Sequence, residues 1–98
     1  MTNQSIRVEL NQLRKNKPNA SELVFGRDFT DHMFVMDYTE AFGWHQARII
    51  PYQELKINPA SMIFHYGQSV FEGLKAFRTE QGEVQLFRPD QNVRRMNV

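Results

Sequence analysis

Residues 65–95, HYGQSVFEGLKAFRTEQGEVQLFRPDQNVRR, decide the fold, because no other stretch is as dense in both pattern and chemistry. Val70, Phe71, Leu74, Ala76 and Phe77 make a strand-like run ending at Arg78, since β-branched and aromatic side chains suit a pleated, half-buried surface. A second such run covers Val84 to Phe87. Between them Thr79-Glu80-Gln81-Gly82 supplies a short connection, and Gly82 can take the positive φ that tight hairpin loops require. The reading is an antiparallel hairpin. Pro89 then offers a pre-set φ for a first helical position, and Asp90 places negative charge in the first turn, where the helix dipole favours it. Val93 and Met96, at i and i+3, give that helix an apolar stripe, while Arg94 and Arg95 point in different directions about its axis. At about 3.6 residues per turn the helix is only some two and a half turns long when the sequence stops at Val98. So short a helix depends on packing, and the expectation is a truncated chain.

Upstream, the pattern is that of a small mixed domain. Ile6, Val8 and Leu10 alternate with polar neighbours as in a short strand, but Leu10 and Leu13 could equally begin a helical face. Residues 15–21, KNKPNAS, have turn and linker composition, with Arg14, Lys15 and Lys17 forming a basic cluster of the kind that is usually solvated. Gly26 is expected to break the segment before it. Met33 to Tyr38 reads as a strand, Phe42-Gly43-Trp44 as a turn with an aromatic anchor, and Arg48 to Tyr52 as a second strand. Pro51 suggests that this second strand lies at an edge or carries a bulge. Asn58-Pro59-Ala60-Ser61 is expected to cap a short helical turn reaching Phe64, with Asn58 as N-cap and Pro59 at N1. Strands, a short helix, a hairpin and a final helix make an α+β domain with an antiparallel sheet. Residues 1–21 would be a polar extension and residues 22–98 the domain proper.

Composition narrows the function classes. The 98 residues, 41% of them hydrophobic, suffice for one domain at most. Twelve basic and 11 acidic residues are well mixed along the chain and sum to +1, so no nucleic-acid-binding face is implied. The absence of cysteine excludes disulfides, thiolate metal sites and a cysteine nucleophile. No apolar run is long enough to span a bilayer and the N-terminus lacks the core of a signal peptide, so a cytoplasmic location is expected. His32, His45 and His65 are too scattered to define a metal site. Glu72 could be a general base, but a single acid in this setting more often pairs with a nearby Lys or Arg. Arg88, Arg94 and Arg95 form the best candidate anion-binding group, because a guanidinium presents a rigid fork of donors.

HYGQSVFEGLKAFR at 65–78, followed by LFRPDQNVRRMN at 86–97, resembles the N-terminal domain of the branched-chain amino-acid aminotransferases, pyridoxal 5'-phosphate enzymes of fold type IV. LVFGRDFTDHM at 23–33 and GWHQARIIPYQELKINPAS at 43–61 are similar to the same family, so the resemblance covers residues 22–98. It implies that Arg95 holds the cofactor phosphate. It also implies that Tyr66, Phe71 and Phe25 line the pocket for the substrate's aliphatic side chain, and that Gly73 brings the backbone close to substrate. An apolar wall suits that task, since each buried methylene contributes about 0.8 kcal/mol. The family's Schiff-base lysine resides in a second, C-terminal domain, and none of Lys15, Lys17, Lys56 or Lys75 lies in a matching context. The resemblance therefore implies no catalytic residue in this chain, which alone would be inactive. The complete enzyme would be a homodimer exchanging amino groups between branched-chain amino acids and 2-oxo acids. Alternatives are a truncated, non-catalytic module that pairs with full-length subunits, or a relative of D-amino-acid aminotransferase or aminodeoxychorismate lyase.

Overall fold

The computed structural model describes residues 5–98, which divide into two compact units, one ending at Leu55 and one running from Lys56 to Val98.

The first unit is built on a three-stranded sheet of β1 (Arg7–Val8), β2 (His32–Thr39) and β3 (Gly43–Pro51), in the order β1-β3-β2. β2 and β3 are an antiparallel hairpin whose aromatic-rich and β-branched residues suit the pleat, with Met33 opposite Ile50 and Phe34 opposite Ile49. Its loop closes where the Phe42 N–H donates to Thr39 Oγ1 at 3.2 Å, and Gly43 there has φ +65°. The aromatic anchor is Trp44, paired across the strands with Tyr38 at a ring separation of 5.2 Å. Leu10 and Leu13 do not begin a helix: the period-2 reading prevails, and Arg7–Val8 lies parallel to Arg48 and Ile49. The Glu9 N–H extends this pairing to the Ile49 carbonyl at 2.8 Å.

Of the two alternatives that Pro51 offered for its strand, an edge position or a bulge, the pairing removes the edge and leaves the bulge. β3 is the central strand, and it tolerates proline because Pro51 is its last residue, beyond the reach of the two-residue β1. A bulge is present elsewhere in β3, where Gln46 and Ala47 oppose Met36 alone and Gln46 adopts φ +55°. Between β1 and β2 a 3₁₀ turn covers Ala20–Glu22, followed by a tight turn at Gly26 with φ +79°.

The second unit holds α1 (Met62–His65), β4 (Ala76–Arg78), β5 (Val84–Leu86) and α2 (Pro89–Met96). The hairpin is as the sequence predicts, with Phe77 opposite Gln85. The Thr79 N–H donates to the Glu83 carbonyl at 2.8 Å, the Gly82 N–H closes the turn onto the Thr79 carbonyl at 2.9 Å, and Gly82 sits at φ +85°. α2 begins at Pro89 with Asp90 in its first turn, also as predicted.

Two expectations fail here. The strand predicted from Val70 shrinks to Ala76–Arg78, because its partner cannot continue: Arg88 turns left-handed at φ +45° and Pro89 starts a helix, leaving residues 70–75 no ladder to join. The short helix starts at Met62 after Ser61 rather than at Pro59. Asn58 closes a turn instead, its Oδ1 accepting the Ala60 N–H at 2.8 Å and its carbonyl the Ser61 N–H at 2.9 Å.

Among the described residues only Ala47 and Ile50 are buried apolar side chains. Both lie on β3, at positions of opposite parity and hence on opposite sheet faces. Most large apolar residues, including Phe42, Phe64 and Phe87, stay exposed.

Candidate functional site

The densest polar arrangement in the second unit joins the segment before β4 to α2. Asn92 and Arg95 stand at i and i+3 and so share a helix face. The guanidinium of Arg95 meets the carboxylate of Glu72 as a two-pronged fork: Nε donates to Oε2 at 2.8 Å and Nη2 donates to Oε1. Asn92 Nδ2 donates to Glu72 Oε1 at 3.0 Å and to the Gly73 carbonyl at 2.7 Å. Three polar side chains thus tie an otherwise unpaired stretch of chain to the helix. The hydrogen bonds from Arg95 and then Asn92 hold the Glu72 carboxyl well below its ordinary range, at about 2. The same ion pair raises the Arg95 pKa. Of the two roles open to Glu72 in the sequence, the structure gives it the ion pair.

The exposure of the pair is uneven: the Glu72 side chain is 11% exposed and that of Arg95 69%. Nη1 of Arg95 makes no hydrogen bond to any described residue. The cluster therefore presents an arginine gripped along one edge and open along another, able to donate hydrogen bonds to an anion.

The residues singled out by resemblance take the following places. Gly73 and Arg95 are brought together through Asn92 and Glu72. Phe71 precedes Glu72 and is almost wholly exposed; Tyr66 ends α1, where its backbone N–H donates to the Met62 carbonyl at 3.0 Å, and its ring is exposed. Phe25 belongs to the first unit, in the Gly26 turn, and its ring is fully exposed. Arg88 and Arg94 do not join the Glu72 cluster. Asn92 is the member that the sequence reading missed; its position three residues before Arg95 was the available signal.

Elsewhere, each histidine has a backbone partner, a long-range one for His32 and a nearby one for His45 and His65. His32 Nε2 accepts the Asn11 N–H at 2.9 Å, while His45 Nδ1 lies 2.8 Å from the Gly43 carbonyl and His65 Nε2 lies 2.6 Å from that of Pro59. No group of three metal-ligating side chains occurs among the described residues. An open cleft of about 720 Å³ in the first unit, walled by residues that include Arg14, Lys17, Leu23, Arg27 and Phe29, contains none of the residues named by resemblance. No helix of the described residues is long and apolar enough to cross a membrane.

No family model matches the chain. Individual proteins do. Branched-chain-amino-acid aminotransferase 2 of Bacillus subtilis is 59% identical over 97 residues, which is 99% of this chain. The chain is homologous to the branched-chain-amino-acid aminotransferases. A probable branched-chain-amino-acid aminotransferase of Staphylococcus aureus is 51% identical over 94 residues, and the cytosolic enzyme of Saccharomyces cerevisiae is 51% identical over 83 residues, 85% of this chain. The chain spans 27% of the length of the Bacillus aminotransferase and 22% of the yeast one, about a quarter of the curated relatives it matches.

Proposed function

We propose that this chain is the N-terminal part of a pyridoxal 5'-phosphate-dependent aminotransferase of fold type IV that moves the amino group of leucine, isoleucine or valine to 2-oxoglutarate. The observation that carries this reading is the 59% identity running through 99% of the chain but only 27% of the relative. Similarity so nearly complete on one side and partial on the other supports a segment of a larger enzyme. In this reading residues 22–98 belong to the small domain, and a cofactor-anchoring lysine lies in the remaining portion, outside the sequence described. The complete enzyme would be a cytoplasmic homodimer; the cytosolic yeast relative supports the location alone.

The residues present fit the cofactor's phosphate. Arg95 offers an exposed guanidinium with Nη1 unengaged, in a unit whose nearest carboxylate is already paired. When bound, pyridoxal phosphate supplies an electron sink for the amino acid's Cα carbanion. This chain's residues would hold and select. Arg95 clamps the phosphate through charge-assisted hydrogen bonds. Tyr66 and Phe71 would give an apolar surface that favours aliphatic side chains by excluding water from their methylenes. Gly73, lacking a Cβ and with nothing within 4 Å of where one would stand, leaves room for substrate beside the backbone.

The test is to express the complete protein carrying this sequence, titrate it with pyridoxal phosphate, and assay leucine with 2-oxoglutarate. Arg95→Ala should weaken cofactor binding about tenfold or more, equivalent to about 1.4 kcal/mol; unchanged affinity would remove Arg95 from the role. A second reading, a truncated module that pairs with full-length subunits, is favoured by the exposed apolar side chains, Phe71 at 95% and Phe87 at 78% among them. The intact mass of the native protein separates the two: a mass near 11.6 kDa selects the module, and one several times larger selects the enzyme.

A further inference from the structure

We propose that Glu72 is a positioning residue for anion binding, gripping the Nε–Nη2 edge of Arg95 so that the Nη1–Nη2 edge is presented to a phosphate. The inference rests on the reading of Arg95 as the cofactor-phosphate clamp. A guanidinium has five N–H donors in a rigid plane. Glu72 takes the Nε–H and one Nη2–H, which leaves the second Nη2–H and one Nη1–H side by side on the Nη1–Nη2 edge, with the other Nη1–H on the Cδ side. That remaining edge has the spacing a phosphate needs for a two-point contact.

Two features make Glu72 an anchor rather than a rival for the ligand. Its carboxylate is nearly covered while the guanidinium faces outward, so the open edge and not the paired one is accessible. Asn92 also fixes the carboxylate from α2 and reaches the Gly73 carbonyl with the same amide nitrogen. The acid is held from two sides on the same helix that carries Arg95. Because Gly73 is tied into this network, the orientation of the phosphate clamp and the path of the backbone beside the substrate are set together.

An opposing effect exists: a carboxylate beside the guanidinium partly neutralises it and weakens its pull on an anion. The two effects predict opposite outcomes when the acid is removed. Holding a long, exposed arginine in one orientation avoids loss of side-chain entropy on binding, and it is this contribution that we take to dominate.

The experiment measures equilibrium dissociation constants of pyridoxal 5'-phosphate and of pyridoxal, which lacks the phosphate, by spectroscopic titration of the complete protein carrying this sequence. Glu72→Ala should weaken binding of the phosphorylated compound about fivefold and Glu72→Gln, which keeps an acceptor oxygen, should lie between it and the parent, with pyridoxal affinity unchanged in both. Tighter or unchanged binding of pyridoxal phosphate by Glu72→Ala, while Arg95→Ala weakens it, would overturn the positioning role and leave the clamp standing. Equal weakening toward pyridoxal would mark Glu72 as merely structural and overturn the proposal in another way. An Arg95→Ala protein that binds both compounds like the parent would remove the clamp itself.

Discussion

At the scale of single residues the Glu72–Arg95 pair is sensitive to pH. The carboxylate is stabilised in its charged form, from an ordinary value of 4.5 down to about 2. A depressed acid contributes stability that is fully present above its unfolded pKa and is lost as pH falls through its folded one. The pair should therefore hold unchanged at neutral pH and weaken progressively between 4.5 and about 2. An NMR titration of the Glu72 side-chain carboxyl should find its midpoint well below the ordinary value of 4.5, and Arg95→Ala should return it toward 4.5. A midpoint near 4.5 in the parent protein would mean that the fork does not persist in solution. Pairing for Glu72 was foreseeable from the sequence as the commoner fate of a lone acid, but its partner was not. Glu72 and Arg95 lie 23 positions apart, and no periodicity links a loop residue to one helix turn.

At the scale of elements, single residues decide the turn at Gly82 and the start of α2, though not the start of α1. The hairpin loop at Gly82 and the start of α2 at Pro89 follow from one residue each, because a positive φ and a fixed φ are properties of the residue itself. Gly82→Ala should destabilise the hairpin by about 1 kcal/mol through its φ of +85° alone, since nothing lies within 4 Å to obstruct the added Cβ. Faster amide exchange at Thr79 is the expected reading, with Gly82→Asn less affected because asparagine tolerates the left-handed region. Asn92→Ala should loosen the 72–73 segment from α2 at a cost of about 1 kcal/mol, seen as faster proton exchange and proteolysis before β4, with α2 itself retained. Strand extent was harder to foresee than turns. Val70 to Lys75 has strand composition, yet extended chain becomes strand only where a partner supplies a ladder, and the left-handed Arg88 ends that partner early.

At the scale of the whole molecule the most telling property is how little is buried. Exposed rings such as Phe25, Phe71 and Phe87 leave far more apolar surface in water than a self-sufficient domain of this size shows. The 98-residue chain made alone should self-associate or precipitate, with strong binding of a hydrophobic dye and no cooperative thermal transition. A sharp monomeric peak in light scattering together with a cooperative transition would contradict this. Length itself gives no hint of such exposure, because the same apolar content could equally well be buried in a compact domain.

The α+β character, the Gly82 turn, the start of α2 at Pro89 and the resemblance to branched-chain amino-acid aminotransferases were all legible before folding, because they reside in residue types and short spacings. Folding alone makes β3 a central strand flanked by a parallel β1, leaves residues 70–75 without a ladder, and brings Glu72, Asn92, Gly73 and Arg95 together. The physical reason is the same in each case. Turn and cap preferences are intrinsic to one or two residues, whereas ladder partners and ion pairs depend on which distant segments the folded chain brings within hydrogen-bonding distance.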